Sequence, residues 1–276
     1  MSQPKYLSML FGLDGKTVLL TGGVRGIGRQ IAFALAEAGA DIVLLARRPE
    51  DIDSINVATQ VESFGRRCRT YKCDLSDRAQ VLGVVPQLHH DGVEIDCFVH
   101  CAGLQHRSPA EDFADEEWDT ILGVNITAGF QLSRDLAKYW LGSSLHGYAT
   151  LDAQEKSYKM KKILFIASVL SFTGGVETPA YTASKGAIAQ LTKALNNEWM
   201  SKGICVNSLA PGYIETDLTT ALRDGGEKER KIVERIPAGR WGHPGDLSGG
   251  VIYLLSRAGN YVGGEIHAVD GGFLGR

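Results

Sequence analysis

Tyr181 and Lys185 stand four residues apart in Tyr181-Thr182-Ala183-Ser184-Lys185. On a helix that spacing puts the phenol and the ammonium on one face. A free tyrosine, with a pKa of about 10, is a poor base near neutral pH, and a neighbouring cation lowers that value. Such a pair can hand a proton to an oxygen that is gaining charge, or take one from an alcohol. Ser168 lies 13 residues before Tyr181, at the end of an apolar run that reads as a strand. Its hydroxyl could hydrogen-bond the same oxygen and stabilise its charge. Any one of these side chains is also explained as an ordinary buried hydrogen bond; the set is what predicts acid–base chemistry at a carbon–oxygen bond.

A second cluster lies near the start of the chain. A strand at 17–21 runs straight into Gly22-Gly23-Val24-Arg25-Gly26-Ile27-Gly28 and then a helix. In that setting Gly22 can form the tight turn, Gly26 can let the backbone approach a pyrophosphate, and Gly28 can let the helix pack closely on the strand. The helix N-terminus adds unpaired N–H groups and the positive end of the helix dipole. The spacing is G-x-x-x-G-x-G rather than G-x-G-x-x-G, so a merely tight turn is the alternative reading.

These groups need a scaffold, and the sequence supplies one. Strands are expected at 17–21, 41–46, 68–74, 95–100, 162–168, 205–210 and 265–269, and helices at 26–38, 76–90, 181–200 and 244–257, among others. Strand–helix alternation with nearly continuous apolar strands predicts an α/β fold, a parallel sheet covered on both faces. No boundary divides residues 1–276, so one domain is expected. The 33 glycines suit its many strand-to-helix turns and, lacking a three-residue period, exclude collagen. Residues 142–161 are polar and read as a surface insertion in an exposed loop; 213–240, with its polar stretch 225–231, reads as a substrate lid.

A net charge of −3 removes the case for non-specific nucleic-acid binding. No run reaches the 18 or so apolar residues that span a bilayer. Met1 to Leu13 lacks a basic start followed by an apolar core, and the C-terminus matches no targeting address, so a cytoplasmic protein without membrane partners is expected. Cys68, Cys73, Cys97, Cys101 and Cys205 show no C-x-x-C spacing. They read as buried reduced thiols rather than a metal or redox site.

With Thr21-Gly22-x-x-x-Gly26-Ile27-Gly28, Ser168 and Tyr181-x-x-x-Lys185 in this order, the chain resembles the short-chain dehydrogenase/reductase family. Asp74, Val124-Asn125-Ile126, Pro211-Gly212 with Thr216, and Asp270-Gly271-Gly272 extend the match over about Leu13 to Phe273. The resemblance implies a Rossmann-type doubly wound sheet of about seven strands in the order 3-2-1-4-5-6-7. It also implies an oxidoreductase that moves a hydride between a nicotinamide and a secondary alcohol or ketone, and a homo-oligomer, usually a tetramer. Asn125, Ser168, Tyr181 and Lys185 are then the catalytic set. Asn125 holds a water behind Lys185, and Lys185 also holds the ribose of the nicotinamide. Together with the cationic nicotinamide, Lys185 is expected to bring the Tyr181 pKa down by about two to three units. The nucleotide cleft is implied to comprise Gly22, Arg25, Gly26, Ile27, Gly28, Arg47, Asp74, Leu75, Ala102, Gly103, Asn125, Tyr181, Lys185, Pro211, Gly212, Ile214 and Thr216, with Asp74 on the adenine amino group.

Two details are particular to this chain. Ala46 stands where NAD-preferring relatives carry an aspartate, and Arg47 follows it. Arg47 and Arg25 could clamp a 2′-phosphate through charge-assisted forked bonds. NADP(H) is therefore favoured; NAD(H), with both arginines merely solvated, is the alternative. And where the family has Asn-Asn-Ala-Gly, this chain has His100-Cys101-Ala102-Gly103, with His100 expected to be a structural replacement.

Within the family the closest likeness is to gluconate 5-dehydrogenases and 2-dehydro-3-deoxygluconate dehydrogenases. It is carried by Ala102-Gly103-Leu104-Gln105-His106-Arg107, Pro211-Gly212-Tyr213 and Ile236-Pro237-Ala238-Gly239-Arg240-Trp241-Gly242, among other segments. Ser168, Arg107, Tyr181 and Tyr213 are the candidate substrate residues. Arg107 could pair a substrate carboxylate, or form an ordinary surface salt bridge. A 3-oxoacyl-thioester reductase and a non-catalytic NADP sensor are the competing readings, and a sensor has no need of all four catalytic residues. No metal site is expected.

Overall fold

The computed structural model describes residues 6–223 and 225–276. Residues 1–5 of the N-terminal and single-domain readings, and residue 224 of the lid and single-domain readings, lie outside the described residues.

Seven parallel strands form one sheet in the order β3-β2-β1-β4-β5-β6-β7. They are β1 Thr17–Thr21, β2 Asp41–Ala46, β3 Cys68–Lys72, β4 Cys97–His100, β5 Lys161–Ile166, β6 Ile204–Pro211 and β7 Ile266–Val269. The helices are α1 Tyr6–Phe11, α2 Gly26–Glu37, α3 Ile52–Ser63, α4 Arg78–His90, α5 Asp115–Leu122, α6 Ala128–Gly142, α7 Ala153–Lys159, α8 Pro179–Trp199, α9 Glu227–Glu234 and α10 Ser248–Leu255.

Side chains alternate across the strands and divide the core in two. Leu19, Val43, Phe98, Ile163, Phe165 and Val206 face α4, α6 and α8, where Leu88, Leu132, Trp140 and Leu195 meet them. Val18, Leu20, Ile42, Leu44, Val99 and Leu164 face the other way, onto Ile31 and Leu35 of α2, Val57 and Val61 of α3, and Val251 and Leu254 of α10. Strand order reverses between β1 and β4, where the chain leaves β1 for one side of the sheet and β4 for the other. In such sheets this reversal marks the crevice, outside the carboxyl ends of the strands, where ligands bind.

Three expectations need correction. The central strands are buried throughout, but β3 and β7 are only part-buried. They are the edges of the sheet, where neighbours cover one side only. Residues 142–161 do not form an exposed loop. Leu145 and Tyr148 are buried in the core beside Trp140 and Trp199, and Lys161 is the first residue of β5. The rest forms α7, started by a capping box of Asp152 and Glu155 and tied down where Asn260 donates to Ser157 and Arg257 to the Tyr158 hydroxyl. The cysteines are free; Cys73, Cys97 and Cys205 are buried, whereas Cys68 and Cys101 are half-buried.

Candidate active site

Tyr181 and Lys185 lie in the first turns of α8, which begins with Pro179 at a position where its missing N–H is not needed. Lys185 is buried and its Nζ donates to the Ile166 carbonyl at the end of β5, at 2.6 Å. The same ammonium lies 5.5 Å from the centre of the Tyr181 ring. Burial pulls the lysine down to about 8 and pushes the tyrosine up to about 12. The pair meets as the spacing predicts, but the expected drop in the Tyr181 pKa does not come from the chain itself: desolvation outweighs the hydrogen bond with Ser168, which acts the other way.

Ser168 lies two residues beyond the end of β5 and is still extended. Its side chain accepts from the Leu170 amide and caps the short helix Val169–Ser171. This puts its hydroxyl beside Tyr181 at the mouth of the crevice. Asn125 sits fully buried in a π-helical turn, Gly123–Thr127, a wide turn that often marks functional sites. Its amide brackets Leu104: Oδ1 accepts from Leu104 N at 2.7 Å, and Nδ2 donates to Leu104 O and to Ser184 Oγ at 3.0 Å. Ser184 Oγ in turn donates to the Tyr181 carbonyl. Both Asn125 donors are thus committed to protein, and one lone pair on Oδ1 remains for a further partner. A Cβ on Gly103 would stand 3.6 Å from Asn125 Oδ1 and 3.7 Å from Lys185 Nζ, so all three share one small space.

The glycine turn lies at the other end of this crevice. Gly22 has φ +67°, and a Cβ there would lie 2.7 Å from the Ala102 backbone, so the turn after β1 presses against the loop after β4. A Cβ on Gly28 would run into the Gly22 carbonyl, so α2 can approach β1 only with glycine there. No side chain caps α2 at Arg25, which leaves the first-turn N–H groups to face the crevice. Such a cradle fits a dinucleotide pyrophosphate.

Around it, Thr216 reaches over the turn, its Cγ2 lying 3.5 Å from where a Gly26 Cβ would be. Ile214 pairs with Gly242, and Gly212 N donates to Val269 O, so the 211–216 segment is held against β7. Asp74 spends one oxygen on Ser76 N and Oγ, and those bonds together with nearby Arg47 lower its pKa. Among the described residues, no donor is bonded to its other oxygen. Leu75 packs beside it at the margin of the core. Arg47 follows β2 directly; Arg25 and Arg47 are both exposed and, among the described residues, make no ion pair in the chain.

The two substrate candidates sit differently. Arg107 is exposed, and its Nη1 lies 3.4 Å from Val176 O, while Ser108 N donates to Glu177 O. These contacts strap the loop after β4 to the segment just before α8. Tyr213 stands edge-on to Trp241 and Phe273, with ring centres 5.4 Å away in each case, and lines a cavity of about 210 Å³ with Gly212, Ile236, Arg240 and Asp270. Val169, the neighbour of Ser168, packs in the same apolar cluster. The 213–240 segment carries the short helix Asp217–Leu222 and α9.

His100 makes contacts that its place in the sequence does not show. It is buried at the end of β4, bonded on both ring nitrogens, and burial together with the Lys185 charge pulls its pKa down to about 4.

A family model described as enoyl-(acyl carrier protein) reductase matches residues 22–274. The chain is 43% identical to a 2-dehydro-3-deoxy-D-gluconate 5-dehydrogenase of Pseudoalteromonas atlantica, over 96% of this chain and 98% of that protein. The chain belongs to the short-chain dehydrogenase/reductase family. It is an oxidoreductase of that family. A Bacillus subtilis protein of the same name is also 43% identical, over 98% of this chain and 99% of its own length. Among solved structures, a gluconate 5-dehydrogenase from Burkholderia cenocepacia in complex with NADP and tartrate superposes with a TM-score of 0.88 at 33% identity, covering 98% of this chain and 100% of that one.

Proposed function

We propose that this oxidoreductase interconverts a hydroxyl and a carbonyl of a sugar acid with NADP(H), as a cytoplasmic homotetramer acting on a small-molecule substrate. The observation that carries the chemistry is the convergence of Ser168, Tyr181 and Lys185 at one end of a crevice whose other end is the uncapped, glycine-lined start of α2. The relatives that match nearly end to end are named as 2-dehydro-3-deoxy-D-gluconate 5-dehydrogenases, which supports a sugar acid over a 3-oxoacyl thioester.

When bound, the nucleotide supplies or accepts the hydride. The other steps belong to the chain. Ser168 Oγ and Tyr181 Oη hydrogen-bond the reacting oxygen. Tyr181 Oη donates its proton to that oxygen in reduction and takes one back in oxidation. Lys185 holds positive charge beneath the phenol and would hold the ribose hydroxyls, with Asn125 keeping the Leu104 loop in place and offering its spare Oδ1 lone pair to a relay water. The turn of Gly22, Gly26, Ile27 and Gly28, with Ala102, Gly103, Pro211, Gly212, Ile214 and Thr216, would hold the nucleotide. Asp74 and Leu75 would take the adenine, and the 213–240 segment would close over the substrate.

Arg107 would meet the substrate carboxylate, since its loop is strapped over the entrance to α8. Turnover of a panel holding 2-dehydro-3-deoxygluconate, gluconate and a 3-oxoacyl thioester, each with NADP(H) and NAD(H), tests the reading. A sugar acid is expected to be the best substrate. Arg107→Ala is expected to raise its KM by about 10- to 100-fold, the loss of one charge-assisted bond. A thioester turned over in preference to every sugar acid would overturn the proposal.

The tetramer is supported by the unpaired edge of β7, whose Ile266, His267 and Val269 are only part-buried, and by the default to closed symmetric assemblies. Sedimentation at micromolar concentration is expected to show about four times the 29.8 kDa chain mass. A single-chain species alone would reject it.

A further inference from the structure

His100 joins the two ends of the active-site crevice, and the direction of each of its hydrogen bonds is fixed by chemistry. His100 Nε2 lies 3.2 Å from the Val124 carbonyl, in the π-turn that carries Asn125. A carbonyl only accepts, so Nε2 bears the proton and Nδ1 is bare. Nδ1 lies 3.0 Å from Thr21 Oγ1, so the Thr21 hydroxyl donates to it. The Thr21 oxygen accepts in turn from the Ala102 amide at 3.2 Å. Three bonds therefore run one way, from Ala102 through Thr21 and His100 to Val124. The ring also fills the space over Gly129 at the start of α6: a Cβ there would lie 2.8 Å from His100 Cδ2.

We propose that His100 is a positioning residue for the reaction: through this directional chain it sets Asn125 and the Ala102 floor of the nucleotide cleft at fixed depth relative to Lys185. The proposal rests on the roles given above to Asn125 and Ala102, but not on the identity of the substrate. One end of the chain acts on the nucleotide and the other on the proton-handling side, so the two ends should separate in kinetics. A residue that served only to fill the core would affect both together with stability.

The test uses the full-length enzyme and whichever substrate the wild type turns over best. His100→Asn keeps an acceptor near Thr21 and loses the bond to Val124. His100→Gln keeps a donor toward Val124. His100→Phe keeps ring volume and neither bond. Thr21→Val removes the middle hydroxyl and leaves the imidazole in place. For each, kcat, the NADP(H) Kd from tryptophan fluorescence, and Tm are measured.

His100→Asn is expected to lower kcat by about tenfold with the nucleotide Kd nearly unchanged, the scale of one buried bond lost with its partner left unpaired. His100→Gln should restore most of that kcat. Thr21→Val should do the reverse of His100→Asn, weakening NADP(H) binding more than it lowers kcat. Gly129→Ala, which pushes the intact ring off its seat, should reproduce the kcat loss of His100→Asn and gives a second reading if His100→Phe does not fold. Wild-type kcat in His100→Asn and Gly129→Ala, with a lower Tm alone, would overturn the proposal. Failure of sugar acids to turn over would instead sink the substrate reading and leave this ranking of variants intact.

Discussion

Tyr181→Phe is expected to lower kcat by at least about 100-fold, the lower range for general acid–base catalysis, while NADP(H) still binds. The substitution removes one oxygen and its proton and leaves the ring in its place on α8. Lys185 should stay put, because its Nζ is held by the Ile166 carbonyl at 2.6 Å and lies 5.5 Å from the ring rather than on the phenol oxygen. Nucleotide affinity, measured by fluorescence, should therefore change little.

The pH dependence has a definite sign. Burial holds the phenol up at about 12, so it is protonated across the neutral range and ready to act as the acid in reduction. Oxidation needs the phenolate, so its kcat/KM should climb with pH. The climb should flatten above about pH 8, where Lys185, held down by burial, loses the charge that stabilises the phenolate. Reduction should show no such climb, and Tyr181→Phe should lose it. Near-wild-type turnover by the variant would sink the assignment of Tyr181 as the proton donor.

The meeting of Tyr181 and Lys185 was legible because its geometry is local. Four residues on one helix must share a face, whatever the rest of the chain does. The first two strands were legible for a related reason: β1 and β2 are short apolar runs bounded by turns, and they form at the expected positions. Ends governed by distant partners were not. The strand expected to reach Ser168 stops pairing at Ile166, because Ser168 turns to cap the following short helix. The polar string at 142–161 hid Leu145 and Tyr148, which are buried with Trp140 at the end of the preceding helix and with Trp199 from the far end of α8.

The Tyr181 pKa illustrates the same limit. The sequence shows a cation four residues away but not the depth at which the phenol sits, and depth decides the direction of the shift. His100 is the clearest case. Its partners are 79 residues back at Thr21 and 24 residues on at Val124. Nothing in the order of residues brings them together; the crossing from β1 to β4 and the return of α6 over the sheet do.

Arg47→Ala should shrink the preference for NADP(H) over NAD(H), measured as the ratio of kcat/KM values at fixed ionic strength. β2 ends at Ala46, and Arg47 is the exposed first residue beyond it. Its charge is felt at Asp74. A charge-assisted bond contributes about 1.5–3 kcal/mol, so losing one weakens NADP(H) by about 10- to 150-fold. Arg47 is exposed, which places the effect toward the lower end and makes it fall as salt is raised. NAD(H) lacks the 2′-phosphate and should change little. Arg25→Ala should act in the same direction, because Arg25 stands at the N-terminus of α2 and, among the described residues, makes no ion pair. Ala46→Asp should go further than either, since a carboxylate there accepts from a ribose 2′-hydroxyl and repels a phosphate. Ala46 is only 6% exposed, so this variant needs a Tm beside its kinetics to separate repulsion from a destabilised strand. A wild-type enzyme that prefers NAD(H) would refute the arginine clamp and move the choice of nucleotide to the backbone around Ala46 and Arg47.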